Sequence, residues 1–123
     1  MNRLVIMFIM VMAHVQLYAH EPIIIPTPNH IVVGADTFVI SEKSTVSATD
    51  PELKPIVDYC ATEIGLVKTT KRGDIELVVD ANLKREEYHL SVTTDGVVVS
   101  GGDYGGVFNG VVTFLQLLPS EVY

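Results

Sequence analysis

The chain has 123 residues, 48% of them hydrophobic and 19% charged, with a net charge of −7 and one cysteine. That length holds one small domain, which buries about two-thirds of its unfolded surface and has little left over for an elaborate cleft. The acidic balance argues against a nucleic-acid partner, which needs basic patches to neutralise phosphates, and a lone cysteine excludes an intramolecular disulfide.

Residues 1–19 read as a targeting segment. Arg3 gives a positive start, Leu4 to Val15 is an almost unbroken apolar run, and Leu17, Tyr18 and Ala19 offer a cleavage site. The apolar core is short for a membrane span, which makes an uncleaved anchor the poorer alternative. No cysteine lies near the cut, so a lipoprotein signal is not supported. Cleavage would remove only Arg3 among the charges, moving the net charge from −7 to −8. The expected product is an exported domain, residues 20–123, periplasmic or extracellular and with no membrane association after cleavage.

Past the cut, Pro22, Pro26 and Pro28 keep the chain extended, since each also restrains the residue before it. His30 to Val33 and Thr37 to Ile40 read as two short strands around Gly34, Ala35 and Asp36, a first hairpin. The polar stretch Ser41 to Asp50 reads as a loop. Asp50, Pro51 and Glu52 then open a helix with a cap residue, a proline in the first turn and an acid beside the helix dipole. Leu53, Ile56, Val57, Cys60 and Ile64 form its apolar stripe, and Gly65 is placed to end it. Lys68 to Gly73 is a basic connector. Asp74 to Asp80 alternates Ile75, Leu77 and Val79 with Glu76 and Val78, the clearest strand in the chain.

Residues 87–119 carry the densest pattern. Tyr88, Leu90 and Val92 alternate with His89, Ser91 and Thr93, and Val97 to Val99 follow Asp95 and Gly96, a pair suited to a two-residue hairpin turn. On that turn Thr94 faces Val97, Val92 faces Val99 and Leu90 faces Gly101. After Gly101 and Gly102, Asp103 is placed to cap a helix whose apolar residues are Phe108, Val111, Val112, Leu115 and Leu118, stopped by Pro119. Val111, Val112 and Thr113 are weak helix formers, so burial must hold the segment helical. Gly106 and Gly110 leave one flat side for close backbone approach. The expected order is β-β-α-β-β-β-α. It implies an α+β two-layer sandwich, a largely antiparallel sheet of about five strands with both helices on one face.

The chemistry-bearing residues do not converge. Cys60 lies on a helical apolar stripe, the place of a core thiol rather than a nucleophile. His20, His30 and His89 have no ligand spacing, and His89 falls on the polar side of its strand. A glycine-rich bend before a helix can cradle a phosphate. Here Asp103 puts a negative charge where the anion would sit, and no phosphate-loop spacing occurs. The basic connector reads as a solvated loop. The sequence therefore assigns no catalytic residue, no cofactor-binding residue or cofactor, and no metal ligand.

A family resemblance rests on three stretches. Glu86, Tyr88, Leu90 and Val92 at alternate positions, then Thr113, Phe114, Gln116, Leu117, Leu118 and Pro119, resemble the end of the small N-terminal accessory domain of bacterial family 20 β-N-acetylhexosaminidases. Ile25, Pro26, Thr27 and Pro28 resemble its opening. The resemblance implies a parent enzyme that removes terminal N-acetylhexosamine from glycans by attack of the substrate's own acetamide oxygen. An adjacent Asp-Glu pair in a (β/α)8 barrel following this domain would orient and protonate the substrate. The 123 residues contain no Asp-Glu dipeptide and no tryptophan, and a barrel takes about 250 residues. The acids Glu86 and Glu87 are adjacent, but strand alternation would point them apart. No catalytic residue is therefore carried over.

Three readings follow. The first is a non-catalytic accessory domain, present as a fragment or truncated form, supporting the barrel of a parent polypeptide and carrying an exposed apolar patch where that partner sits. The second is a free-standing secreted module that binds glycan or protein. The third is a small hydrolase with an unrecognised site.

Overall fold

The computed structural model describes residues 34 and 37–119. The targeting segment expected at residues 1–19 and the strand expected at residues 30–33 lie outside the described residues. Thr37 to Ile40, expected as the second half of a hairpin, forms no strand. Its alternation still serves packing, because Phe38 and Ile40 rest against the core while Val39 is 81% exposed.

The elements in chain order are β1 (Thr45–Ala48), a 3-10 turn (Pro51–Leu53), α1 (Lys54–Ile64), β2 (Val67–Lys68), β3 (Ile75–Val79), β4 (Tyr88–Thr93), β5 (Gly96–Gly101) and α2 (Tyr104–Gln116). Strand β1 falls in the stretch expected as a loop. Only Val46 is a large apolar residue there, and the polar neighbours are held by specific bonds. The Ser47 hydroxyl accepts from the Gly73 amide at 2.8 Å. The Thr45 amide and hydroxyl both donate to Asp74 Oδ2, at 3.0 and 3.2 Å. Polar side chains thus occupy a strand without being stranded in it. The short β2 also falls in a segment read as connector, and both its residues are exposed.

The five strands form one sheet in the order β2-β1-β3-β5-β4. The two-layer α+β arrangement with both helices on one face stands, since residues of α1 and α2 share one buried cluster with the inward residues of β1, β3 and β5. The strand directions correct the expectation of a largely antiparallel sheet. β1 is parallel to β2 and β3, β3 is parallel to β5, and β4 alone runs antiparallel, beside β5. The reason is connectivity. α1 returns the chain to the end of the sheet from which β1 started, so β3 runs the same way as β1. Residues 80–87 then carry the chain past the place beside β3 to the sheet edge, and the hairpin brings β5 back into the gap.

The hairpin itself closes one residue earlier than expected. Thr93 faces Gly96, Val92 faces Val97, Leu90 faces Val99 and Tyr88 faces Gly101, so the turn residues are Thr94 and Asp95. The Thr93 hydroxyl accepts from the Asp95 amide at 3.3 Å and supports the turn from its side. Gly96 is required for a different reason. Its φ is +148°, and an added Cβ would strike the Asp74 carbonyl, whose oxygen accepts from the Val97 amide at 2.8 Å. Moving a two-residue turn by one residue changes partners but preserves the parity of facing pairs. The inward set of Leu90, Val97, Val99 and Gly101 is therefore unaffected.

Across the 3-10 turn and α1 the apolar stripe is as expected, with Leu53, Ile56, Val57, Cys60 and Ile64 all buried. Asp50 Oδ1 accepts from the Glu52 amide at 3.0 Å, and Gly65 ends the helix at φ +69°. In α2 the stripe is rotated from the expected one. Val107, Val111, Phe114 and Leu115 are buried, whereas Phe108 is 38% exposed and Val112 only half-buried. The rotation follows from Gly106 and Gly110, which face the strands and so set which side of the helix lies inward. Thr113, buried on the same helix, shares a 2.7 Å hydrogen bond with the Tyr88 hydroxyl.

The start of α2 is bound to the preceding loop through Asp103. Its Oδ1 accepts from the Gly106 amide at 2.8 Å and from the Glu86 amide at 3.0 Å. Glu86 sits at φ +64°, an uncommon conformation for a residue with a side chain. Its carbonyl also accepts from Asn109 Nδ2 at 3.3 Å. Bonds from two points of α2 thus hold a backbone turn that the chain would otherwise resist. These backbone donors, with Arg85 adding a weaker attraction, hold the Asp103 carboxyl below the usual aspartate value.

Two predictions follow from this geometry. Alanine is the better helix former by about 1 kcal/mol, yet a Cβ on Gly106 would meet the Glu87 carbonyl oxygen. The Gly106→Ala chain is therefore expected to lose roughly 1–3 kcal/mol in urea unfolding, and a gain in stability would contradict the packing described. Because the folded carboxyl of Asp103 lies below its ordinary value of 3.8, its stabilising effect is complete above that value and is lost as pH falls through the folded value. The Asp103→Asn chain should accordingly show a shallower fall in melting midpoint between about pH 4 and about pH 2 than the parent. Parallel curves would remove the carboxylate from the account.

Candidate functional site

The residues singled out for chemistry are placed apart. Cys60 is fully buried in α1, and burial pushes its thiol up to about 12, the opposite of what a nucleophile needs. His89 is exposed on edge strand β4, opposite Ser100. His20 and His30 lie outside the described residues. Among the described residues, no group of three His, Cys, Asp or Glu side chains could hold a metal ion.

Glu86 and Glu87 lie in a turn rather than in a strand, a correction to the alternation expected for them. Glu86 stands in the left-handed region, while Glu87 Oε2 accepts from the Lys84 amide at 2.7 Å. The glycine bend at Gly101 and Gly102 is filled by this same turn. The Gly102 amide donates to the Glu87 carbonyl at 2.9 Å, and a Cβ on Gly102 would strike the Lys84 carbonyl. With the Asp103 carboxylate already on the Gly106 amide, a negative charge stands at the helix start where a phosphate would sit, and the bend is filled by the turn.

The basic connector divides its charges. Lys68 Nζ lies 3.1 Å from Asp58, and Arg72 Nε lies 3.0 Å from Glu76 Oε2. Arg72, Asp74, Glu76, Thr93 and Asp95 line an open cavity of about 440 Å³ at one end of the sheet. Asp74 is engaged by Thr45 and Glu76 by Arg72, so the cavity is an open polar notch in which two of the three carboxylates are already held and Asp95 is the third.

A different surface has the character of a contact site. The outward side of the helix layer carries Tyr59 from α1 with Tyr104 and Phe108 from α2, exposed by 38%, 41% and 38%. The Tyr59 and Phe108 rings meet across the two helices, centroids 5.7 Å apart and planes tilted by 46°, within the range of favourable aromatic pairs. Tyr104, Phe108 and half-buried Val112 are spaced by four and so share one side of α2. The opposite face of the sheet is different in kind. Its central rows, Glu76 with Val98 and Ser91, and Val78 with Ser100 and His89, mix polar and small apolar side chains and hold no Phe, Tyr or Trp.

The sequence ties the expected apolar patch to no particular residue and counts Phe108 among the apolar stripe of its helix. The four-residue spacing of Tyr104 and Phe108, offset from the flat Gly106 and Gly110 side, is the signal that separates the two faces of α2. For Cys60 the expectation is direct: the thiol should resist a disulfide reagent at pH 8 in the folded chain and react fully in denaturant. Rapid labelling of the folded chain would place the sulfur at the surface.

The family pattern described as glycosyl hydrolase family 20, domain 2, matches residues 21–122. A β-hexosaminidase of Porphyromonas gingivalis is 33% identical over 111 residues, covering 80% of this chain and 14% of that protein. The family 20 β-N-acetylhexosaminidase of Streptomyces coelicolor A3(2) has a TM-score of 0.72 at 27% identity, covering 84% of this chain and 24% of its own. A mutant β-hexosaminidase of Streptomyces plicatus in complex with product has a TM-score of 0.74 at 26% identity, covering 85% and 23%. The chain thus spans about a seventh of its curated relative and about a quarter of these solved ones. The family match extends over the sheet, both helices and the glycine bend, and the chain belongs to the family of glycosyl hydrolase family 20, domain 2.

Proposed function

We propose that this domain is a non-catalytic support for a (β/α)8 barrel of the same parent polypeptide, and that the barrel hydrolyses terminal N-acetylhexosamine from glycans. The observation that carries the reading is the Tyr59 and Phe108 pair, flanked by Tyr104, on the outward side of the helix layer. Rings of this size gain from being covered, roughly 25 cal/mol for each Å² removed from water. Among the described residues they stand outside the core formed by α1, α2 and the sheet, the position of a surface that a partner covers. The helix layer is therefore the face that meets the barrel, and the mixed polar sheet face stays in solvent.

The small share of each hexosaminidase relative that this chain matches supports a module joined to something larger. The acids of the described residues that come together are spent on the fold: Glu86 and Glu87 serve the turn, Asp103 caps α2, and Asp74 and Glu76 in the notch are held by Thr45 and Arg72. We also propose export to the periplasm or the outside of the cell. The apolar run and small-residue cut at residues 1–19 support that location.

A domain exchange tests the support role. This chain would replace the matching domain of the Porphyromonas gingivalis β-hexosaminidase, with and without Tyr59→Asp and Phe108→Asp. In the chimera the two changes are expected to lower the melting midpoint and the turnover of a chromogenic N-acetylhexosaminide, each lost anchor costing about 1–2 kcal/mol. In the isolated chain the same changes remove only the ring pair and should cost about 0.5–1.5 kcal/mol together, so the loss in the chimera is expected to exceed that in the isolated chain. An indifferent chimera would remove the helix layer as the docking face. Turnover by the isolated chain, or its binding of N-acetylglucosamine oligomers, would overturn the supporting role.

A further inference from the structure

We draw no further inference here: the strongest candidate, the open cavity at the end of the sheet where Arg72, Asp74, Glu76 and Asp95 converge, is an acidic cluster in which Asp74 and Glu76 are already engaged by Thr45 and Arg72, with no second observation that points to a ligand.

Discussion

The architecture depends on backbone approaching backbone where α2 leaves the sheet. Gly101 lies under the first turn of the helix, Gly102 lies against the Lys84 carbonyl and Gly106 against the Glu87 carbonyl, each with no room for a Cβ. One carboxylate, that of Asp103, ties the two backbone segments together by accepting from both Gly106 and Glu86. Dispersion and hydrogen bonding over such short separations are available only if side chains are absent and every amide has a partner. The cost is a left-handed Glu86, which the surrounding bonds hold in place. Because this contact fixes the rotation of α2, it also decides that Val107 and Phe114 face the core and that Phe108 does not.

The functional consequence runs through that rotation. With its glycine side seated on β4 and β5, α2 turns Tyr104 and Phe108 outward, and Phe108 meets Tyr59 of α1. An aromatic surface on an otherwise completed two-layer domain is thus a product of the packing, made by the residues that make the fold. The same packing uses up the groups that suggested chemistry. The glycine bend is filled, its donor is capped, and the thiol is buried. Among the described residues, the exposed rings of Tyr59, Tyr104 and Phe108 are suited to contact.

Much of this was legible in the residues. The caps at Asp50, Gly65 and Asp103, the α1 stripe and the Ile75 strand were readable because each is a local signal whose cause lies within a few positions. The misread parts are those decided at longer range. β1 was hidden because Thr45 and Ser47 are satisfied by Asp74 and Gly73, nearly thirty residues away. The strand directions depend on a loop that passes one vacant position in the sheet, which no alternation pattern records. The hairpin register turned on Gly96 being needed against Asp74 rather than within the turn. Phe108 was misassigned because helical spacing alone allows two overlapping stripes, and only the glycine contacts choose between them.

The central claim is that the helix layer, and not the sheet, is the covered face. Tyrosine nitration reads it most directly, since Tyr59 and Tyr104 are exposed there while Tyr88 is tied to Thr113 inside. The account predicts that Tyr59 and Tyr104 are modified in the isolated domain and shielded when the domain is joined to a hexosaminidase barrel. Equal modification of both tyrosines in the two settings would contradict it.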